Sequence, residues 1–261
     1  MELRCPGCDA YIKPDLDKGV GICEYCGNIV VLETGNTLQT PDGDNNEQRE
    51  LPKSPNPEYI SWKDSGLRDH AMDWKDEALE AAMRKVTGIK QGKIMLSDVF
   101  NMTSLTLNGE GIYNVNALNE LINLQSLVLE SNYITDISGL TKLKNLVFLN
   151  LYKNRVTNIG GIAHMPLLRD VRLDYNQVSD LKPLKDLKYI ERLYVYMNLV
   201  MDVSPLKDLV SLRDLRLDFN PLKNISALDG LYNLESLNIE RTDVKDLNPT
   251  MSLKKLKVII K

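Results

Sequence analysis

The chain has 261 residues, 43% of them hydrophobic and 26% charged, with a formal net charge of −4. That supplies a sizeable core, in proportions ordinary for a soluble protein, and the charge offers nucleic acid or an anionic membrane no global attraction. No run of about 18 apolar residues forms a membrane span, and Met1-Glu2-Leu3-Arg4-Cys5-Pro6 lacks the apolar stretch of a secretory signal, so the expected location is cytoplasmic.

All four cysteines lie in the first 26 residues, as Cys5-Pro6-Gly7-Cys8 and Cys23-Glu24-Tyr25-Cys26. A Cys-x-x-Cys loop lets two sulfurs face one point about 2.3 Å from a metal, and two such loops complete a tetrahedral Zn²⁺ site. Gly27 follows the second pair, where a tight turn needs a residue tolerant of positive φ. Ala10–Lys13, Val20–Cys23 and Asn28–Leu32 read as short strands. Residues 1–32 therefore resemble a zinc ribbon, with Cys5, Cys8, Cys23 and Cys26 holding one structural Zn²⁺ and no ligand position left open for catalysis. Two disulfides and a redox dithiol are the alternatives. The lack of an export signal speaks against the first, and the lack of a βαβ context against the second. Residues 1–32 carry five acidic and three basic side chains, the wrong sign for a phosphate-binding surface. A protein-contact or spacer module is the expectation, and a nucleic-acid-associated factor acting through the ribbon is its rival.

Residues 33–58 read as a disordered linker. Thr40 to Glu50 contains no apolar residue, and Pro52, Pro55 and Pro57 keep the chain extended. Residues 59–103 read as a helical cap. Leu79, Ala82, Met83 and Val86 fall at helical spacing over Lys75–Val86, with Asp76 as the expected N-cap and Gly88 as the stop. A second short helix is expected to start at Ser97, capped by its own hydroxyl, and to bury Val99, Phe100 and Met102. Trp62 and Trp74 are expected to help cover the first row of the region that begins at residue 104.

From residue 104 to residue 261 the chain repeats every 22 residues. The first strand position is Leu105, Leu127, Leu149, Val171, Leu193, Leu215, Leu237 and Ile259. The second is Leu107, Leu129, Leu151, Leu173, Val195, Leu217 and Ile239. Three residues further on stand Asn132, Asn154, Asn176, Asn198 and Asn220, with Glu110 and Thr242 in that column at the ends. The alternation Leu-x-Leu gives one short strand per row, and the remainder has little room for more than a turn or a 3₁₀ segment. One row cannot bury its own leucines, so rows must stack. The pattern predicts an α/β solenoid, a right-handed leucine-rich repeat with a parallel sheet on its concave face. The asparagine amides would satisfy backbone groups between rows. This region resembles the 22-residue repeats of bacterial internalin-like proteins. The resemblance implies a binding scaffold rather than an enzyme, and a helical cap ahead of the first row.

The positions left free by the repeat flank and separate the two leucines of each strand, and they point out of the concave face. Through the middle rows they are Phe148, Asn150, Tyr152; Asp170, Arg172, Asp174; Arg192, Tyr194, Tyr196; and Asp214, Arg216, Asp218. The outer rows, with Ser104, Thr106, Asn108, Ser236, Asn238 and Glu240, are blander. Strands about 4.8 Å apart would let Asp170, Arg192 and Asp214 form a charge ladder and set Arg172 and Arg216 beside the Tyr194 ring. Such a ladder can be self-contained. Tyrosine and arginine also dominate interface hot spots, and a protein or peptide bound on this face, with the Asp and Arg residues as a polar rim, is the expected function. An exported, internalin-like adhesion protein is the other rival. His70 and His164 belong to no readable catalytic constellation, and Gly109-Glu110-Gly111 is a repeat turn rather than a phosphate loop. At the carboxyl end, β-like Val258-Ile259-Ile260-Lys261 has no cap after it. Either a partner or second copy covers that edge, or Lys254, Lys255, Lys257 and Lys261 keep it soluble.

Overall fold

A computed structural model describes residues 55–261 and, nearer the amino terminus, the backbone of three short strands: β1 (Lys13–Asp15), β2 (Val20–Ile22) and β3 (Ile29–Val31). Cys5, Cys8, Cys23, Cys26 and residues 32–54 lie outside the described residues. The strand expected at Ala10–Lys13 is observed at Lys13–Asp15; the other two fall where expected, one or two residues shorter.

Eight strands carry the repeat: β4 (Ser104–Thr106), β5 (Ser126–Val128), β6 (Phe148–Asn150), β7 (Asp170–Arg172), β8 (Arg192–Tyr194), β9 (Asp214–Arg216), β10 (Ser236–Asn238) and β11 (Val258–Ile260). They pair in parallel in chain order, each residue opposite the one 22 positions on, as in Leu105↔Leu127 and Leu215↔Leu237. Parallel pairing in this constant register is the stacked solenoid that the repeat dictates. The return segments are turns or short 3₁₀ pieces such as Gly160–His164 and Lys182–Leu184. Both strand leucines of every row and the return-segment positions, such as Leu140, Leu143 and Leu146, merge into one continuous core.

The asparagine column bolts the rows together. Asn176 Nδ2 donates to the Leu151, Leu173 and Asp174 carbonyls at 2.9–3.2 Å, and its Oδ1 accepts from Val156 N–H at 2.8 Å. Asn132, Asn154, Asn198 and Asn220 repeat this arrangement. At the last full row Thr242 keeps one of these bonds, its hydroxyl donating to the Ile239 carbonyl at 2.7 Å.

Ahead of the repeats, α1 (Glu77–Thr87) starts at Asp76, whose carboxylate accepts from Leu79 N–H, and stops at Gly88 at φ 74°, as the sequence indicates. Leu79, Ala82 and Met83 join the core, but Val86, expected on that face, is exposed. It lies in the last turn, where the helix rolls off the core. The short α2 (Leu96–Val99) begins one residue before Ser97. Ser97 is not its cap: the Ser97 N–H and hydroxyl both donate to Asp69, and the Asp98 carboxylate accepts from Met95 N–H instead. Trp74 is buried, and the half-buried Trp62 meets Phe100 edge-on at 5.2 Å.

The segment entering this unit is fixed earlier than the expected linker end at residue 58. Asn145 grips Glu58 from both sides, accepting its N–H at 2.9 Å and donating to its carbonyl at 2.7 Å. One row earlier Asn123 grips Ile60 the same way, at 2.9 and 2.7 Å. At the opposite end, β11 is not a free edge: β3 pairs with it antiparallel, Ile259 opposite Ile29 and Val258 opposite Val30, while β1, β2 and β3 form a small antiparallel meander.

Candidate functional site: the concave face

The outward positions of β6 to β9 and the residue two beyond the end of each strand form one surface. Its centre is Tyr194. Its ring lies between two guanidinium groups, Arg172 at 5.5 Å and Arg216 at 5.9 Å from the ring centre, and its hydroxyl donates to Asp214. Burial first, and the Asp214 carboxylate second, push the Tyr194 phenol up to about 12. Arg172 also faces Phe148 at 5.4 Å, and Arg216 stacks on Tyr196 at 4.2 Å. The face is therefore an alternation of aromatic rings and guanidinium planes, held from below by carboxylates.

The acids do not form the exposed rim expected of them. Asp170, Asp174 and Asp218 are each more than nine-tenths buried, as is Asn150. Asp170 accepts from Arg192 at 2.8 Å and from Arg172 at 3.3 Å. Asp218 pairs with Arg216 at 3.0 Å. The expected ladder through Asp170, Arg192 and Asp214 is half present: Arg192 turns to Asp170, and Asp214 takes the Tyr194 hydroxyl instead. The physical reason is reach. Short Asp side chains stay at the sheet, where longer Arg and Tyr side chains arch over and cover them. Burial acts most strongly on the Asp218 carboxyl and keeps it above the usual carboxylate range despite Arg216.

Beside the strands runs a second column that the strand reading passed over. The residue just before each asparagine, and before Thr242 in the same column, is held at positive φ: Ser131, Lys153, Tyr175, Met197, Phe219 and Arg241 all lie between 53° and 57°. The turn requires that conformation, which favours glycine or asparagine. In three consecutive middle rows it is occupied by large apolar side chains, Tyr175, Met197 and Phe219, and all three are exposed. Leu199 and Met201, also exposed, continue the ridge. Tyr175 meets Tyr152 and Tyr196 edge-on at 5.5 and 5.1 Å, so ridge and concave face are one surface. The 22-residue register was the signal that could have revealed this column.

Elsewhere, His70 pairs with Glu120 at 3.0 Å, joining the amino-terminal unit to the first row. Among the described residues no group of three or more His, Cys, Asp or Glu side chains is arranged to hold a metal ion. No described helix is long and apolar enough to cross a membrane.

A family profile described as Leucine Rich repeats (2 copies) matches residues 122–164. Residues 122–164, within the solenoid, thus match leucine-rich repeats. Among solved structures, this chain is similar to an internalin (inlF) from Listeria monocytogenes, with TM-score 0.67 and 27% identity over 70% of this chain and 55% of that one. It thus spans about half the length of that internalin. It is also similar to internalin C2 (inlC2) of the same organism, with TM-score 0.57 and 26% identity over 71% of this chain and 93% of that one. A leucine-rich-repeat protein of Leptospira interrogans, at TM-score 0.50 and 20% identity over 63% of this chain and 50% of that one, shares the fold. No curated protein matches the chain.

Proposed function

We propose that this chain is a non-catalytic interaction scaffold whose concave face, centred on Tyr194, binds a protein or peptide. Leucine-rich-repeat proteins generally mediate protein–protein interaction, and solenoids offer extended concave surfaces for it. The observation that carries the reading is the concentration of aromatic, Met and Arg side chains in the same middle rows, mostly half-buried on the strands and exposed on the ridge. Buried carboxylates fix the arginines from beneath, so little side-chain freedom is left to lose on binding. The unit formed by α1, α2, Trp62 and Trp74 serves as the amino-terminal cap of the stack. Cys5, Cys8, Cys23 and Cys26 hold one structural Zn²⁺, a reading supported by the β2–β3 hairpin, whose connection carries Cys23 and Cys26.

The test is to recover partners with the full chain as bait and measure their affinity for variants. Tyr194→Ala should weaken binding by about 2 kcal/mol or more, and Arg172→Ala should also weaken it. Ser104→Ala and Asn238→Ala, in the outer rows, should change little. A partner whose affinity survives both Tyr194→Ala and Arg172→Ala removes the concave centre from consideration.

A further inference from the structure

Two rows of the concave face carry the same five-residue motif, and the structure resolves it in opposite ways. Row four reads Asp170-Val171-Arg172-Leu173-Asp174 and row six reads Asp214-Leu215-Arg216-Leu217-Asp218. In row six the arginine pairs with the second aspartate, Arg216 with Asp218 at 3.0 Å. In row four it pairs with the first, Arg172 with Asp170 at 3.3 Å, and spreads over Phe148 and Tyr194. Asp174 is left over. Only 3% of it is exposed, and its Oδ1 accepts the Tyr196 N–H at 3.2 Å. Among the described residues it has no basic side chain within ion-pair distance.

Three tyrosines surround this carboxylate. Tyr152 and Tyr196 occupy the equivalent position in the rows on either side, and burial first, with the Tyr152 phenol second, pushes the Tyr196 phenol up. Tyr175 follows Asp174 directly and packs edge-on against both. Faces of these rings already receive cations from the chain itself. Lys153 Nζ stands 5.2 Å from the Tyr152 ring centre and 5.7 Å from that of Tyr175, and Arg216 covers Tyr196. A carboxylate without a counter-ion beneath rings that attract cations is the chemistry of an ammonium or guanidinium site. The outward strand positions of the concave face carry six acids (Glu130, Asp170, Asp174, Asp214, Asp218, Glu240) and three bases (Arg172, Arg192, Arg216), so the surrounding charge also favours a basic visitor.

We propose that Asp174, with Tyr152, Tyr175 and Tyr196, is a subsite for a lysine or arginine side chain of the protein partner. The proposal rests on the concave-face reading and names the partner's chemistry. The incoming cation supplies the ion pair that Arg172 withholds. Burial, which the Tyr196 N–H and the more distant Arg216 only partly offset, pushes the Asp174 carboxyl up to about 7. The groups facing it are Tyr152, Lys153 and Tyr175 on one side and Tyr196, Arg216 and Asp218 on the other, and Asp218 is already matched by Arg216. A cation that needs the ionised carboxylate should bind better as pH rises.

The experiment uses the full chain and three capped tripeptides, Gly-Lys-Gly, Gly-norleucine-Gly and Gly-Glu-Gly, followed by NMR of carboxyl-labelled aspartate and ring-labelled tyrosine. The lysine peptide should shift the Asp174 carboxyl and the three tyrosine rings saturably, with at least tenfold tighter binding at pH 8.5 than at pH 5.5. The norleucine and glutamate peptides should not. Asp174→Asn, which keeps the side chain's size, should abolish the saturable shift of the tyrosine rings without lowering the denaturation midpoint. Equal responses to the lysine and norleucine peptides, or an unchanged lysine response in Asp174→Asn, overturn the subsite. A recovered partner that loses affinity with Tyr194→Ala but tolerates Asp174→Asn leaves the concave-face reading standing and removes the subsite alone. One that tolerates Tyr194→Ala, Arg172→Ala and Asp174→Asn removes both.

Discussion

At the scale of single residues, the load between rows passes through the asparagine column. Replacing Asn176 by Ala strands the Val156 N–H, while the Leu151, Leu173 and Asp174 carbonyls each lose one donor and keep another, in Asn154, Asn198 and the Lys153 N–H. A buried backbone group without a partner costs about 1–3 kcal/mol, so Asn176→Ala, which leaves one, should cost about 1–3 kcal/mol in urea unfolding. A cost below about 1 kcal/mol would mean that water replaces the amide. Asp174 acts in the opposite sense. Its folded-state value is about 7 against an ordinary 3.8. The native state therefore binds the extra proton between those values, and stability falls as pH rises from about 4 towards 7 and then levels off. Asp174→Asn should remove that slope. It should be more stable than the natural chain at pH 8 by roughly 1 kcal/mol or more, with the difference vanishing near pH 4. Identical pH profiles for the two proteins would show that the carboxyl is solvated after all. Both residues were visible in the sequence as columns of a 22-residue register, but only one function was legible. An asparagine repeated in every row announces a structural bond. The fate of Asp174 depends on which way Arg172 turns, and two copies of one motif turned differently.

At the scale of elements, Asp76 joins two of them. One carboxylate oxygen accepts Leu79 N–H at 2.8 Å and caps α1; the other accepts the N–H groups of Tyr113 and Asn114, both at 2.7 Å, in the first return segment. Burial alone would raise its carboxyl, but the Leu79, Asn114 and Tyr113 bonds together outweigh it and hold the value below the ordinary 3.8. The stability it contributes is therefore complete above about pH 4 and is lost as pH falls through its lowered folded-state value. Asp76→Ala should cost about 2 kcal/mol at neutral pH, at the upper end for a helix cap because two further donors lose their partner. It should also flatten the acid limb of the stability curve. An unaltered acid limb would assign that limb to other carboxylates. The cap and stop of α1 were legible because Asp76 and Gly88 obey local chemistry. The start of α2 was not, because Ser97 gives its hydroxyl to Asp69, 28 residues away in sequence. The exposed ridge of Tyr175, Met197 and Phe219 lay in plain register. Reading only the strand positions hid it, since the strands were where exposure was expected.

At the scale of the whole molecule, the open question is how the last row is closed, and the path of the chain bears on it. Asn145 holds Glu58 and Asn123, one row earlier, holds Ile60, so the chain enters travelling from later rows towards the first. Whatever precedes Glu58 thus comes from the direction of β11. Five inter-strand steps separate β6, the strand that follows Asn145, from β11, roughly 24 Å at about 4.8 Å each. The 26 residues 32–57 can span up to about 85 Å. The antiparallel pairing of β3 with β11 is therefore easily reached, and it covers the N–H and C=O groups of an edge that would otherwise recruit another chain. Deleting residues 1–32 should uncover that edge. At low micromolar concentration the amides of residues 258–261 should lose protection from hydrogen exchange by tenfold or more. At higher concentration the shortened chain should associate in sedimentation while the full chain does so less. If the four cysteines hold zinc, a chelator added to the full chain should reproduce both effects, because a unit this small folds only with its metal. Equal protection with and without residues 1–32 would show that β3 does not close the edge in solution. The task of keeping the last row soluble would then fall to Lys254, Lys255, Lys257 and Lys261.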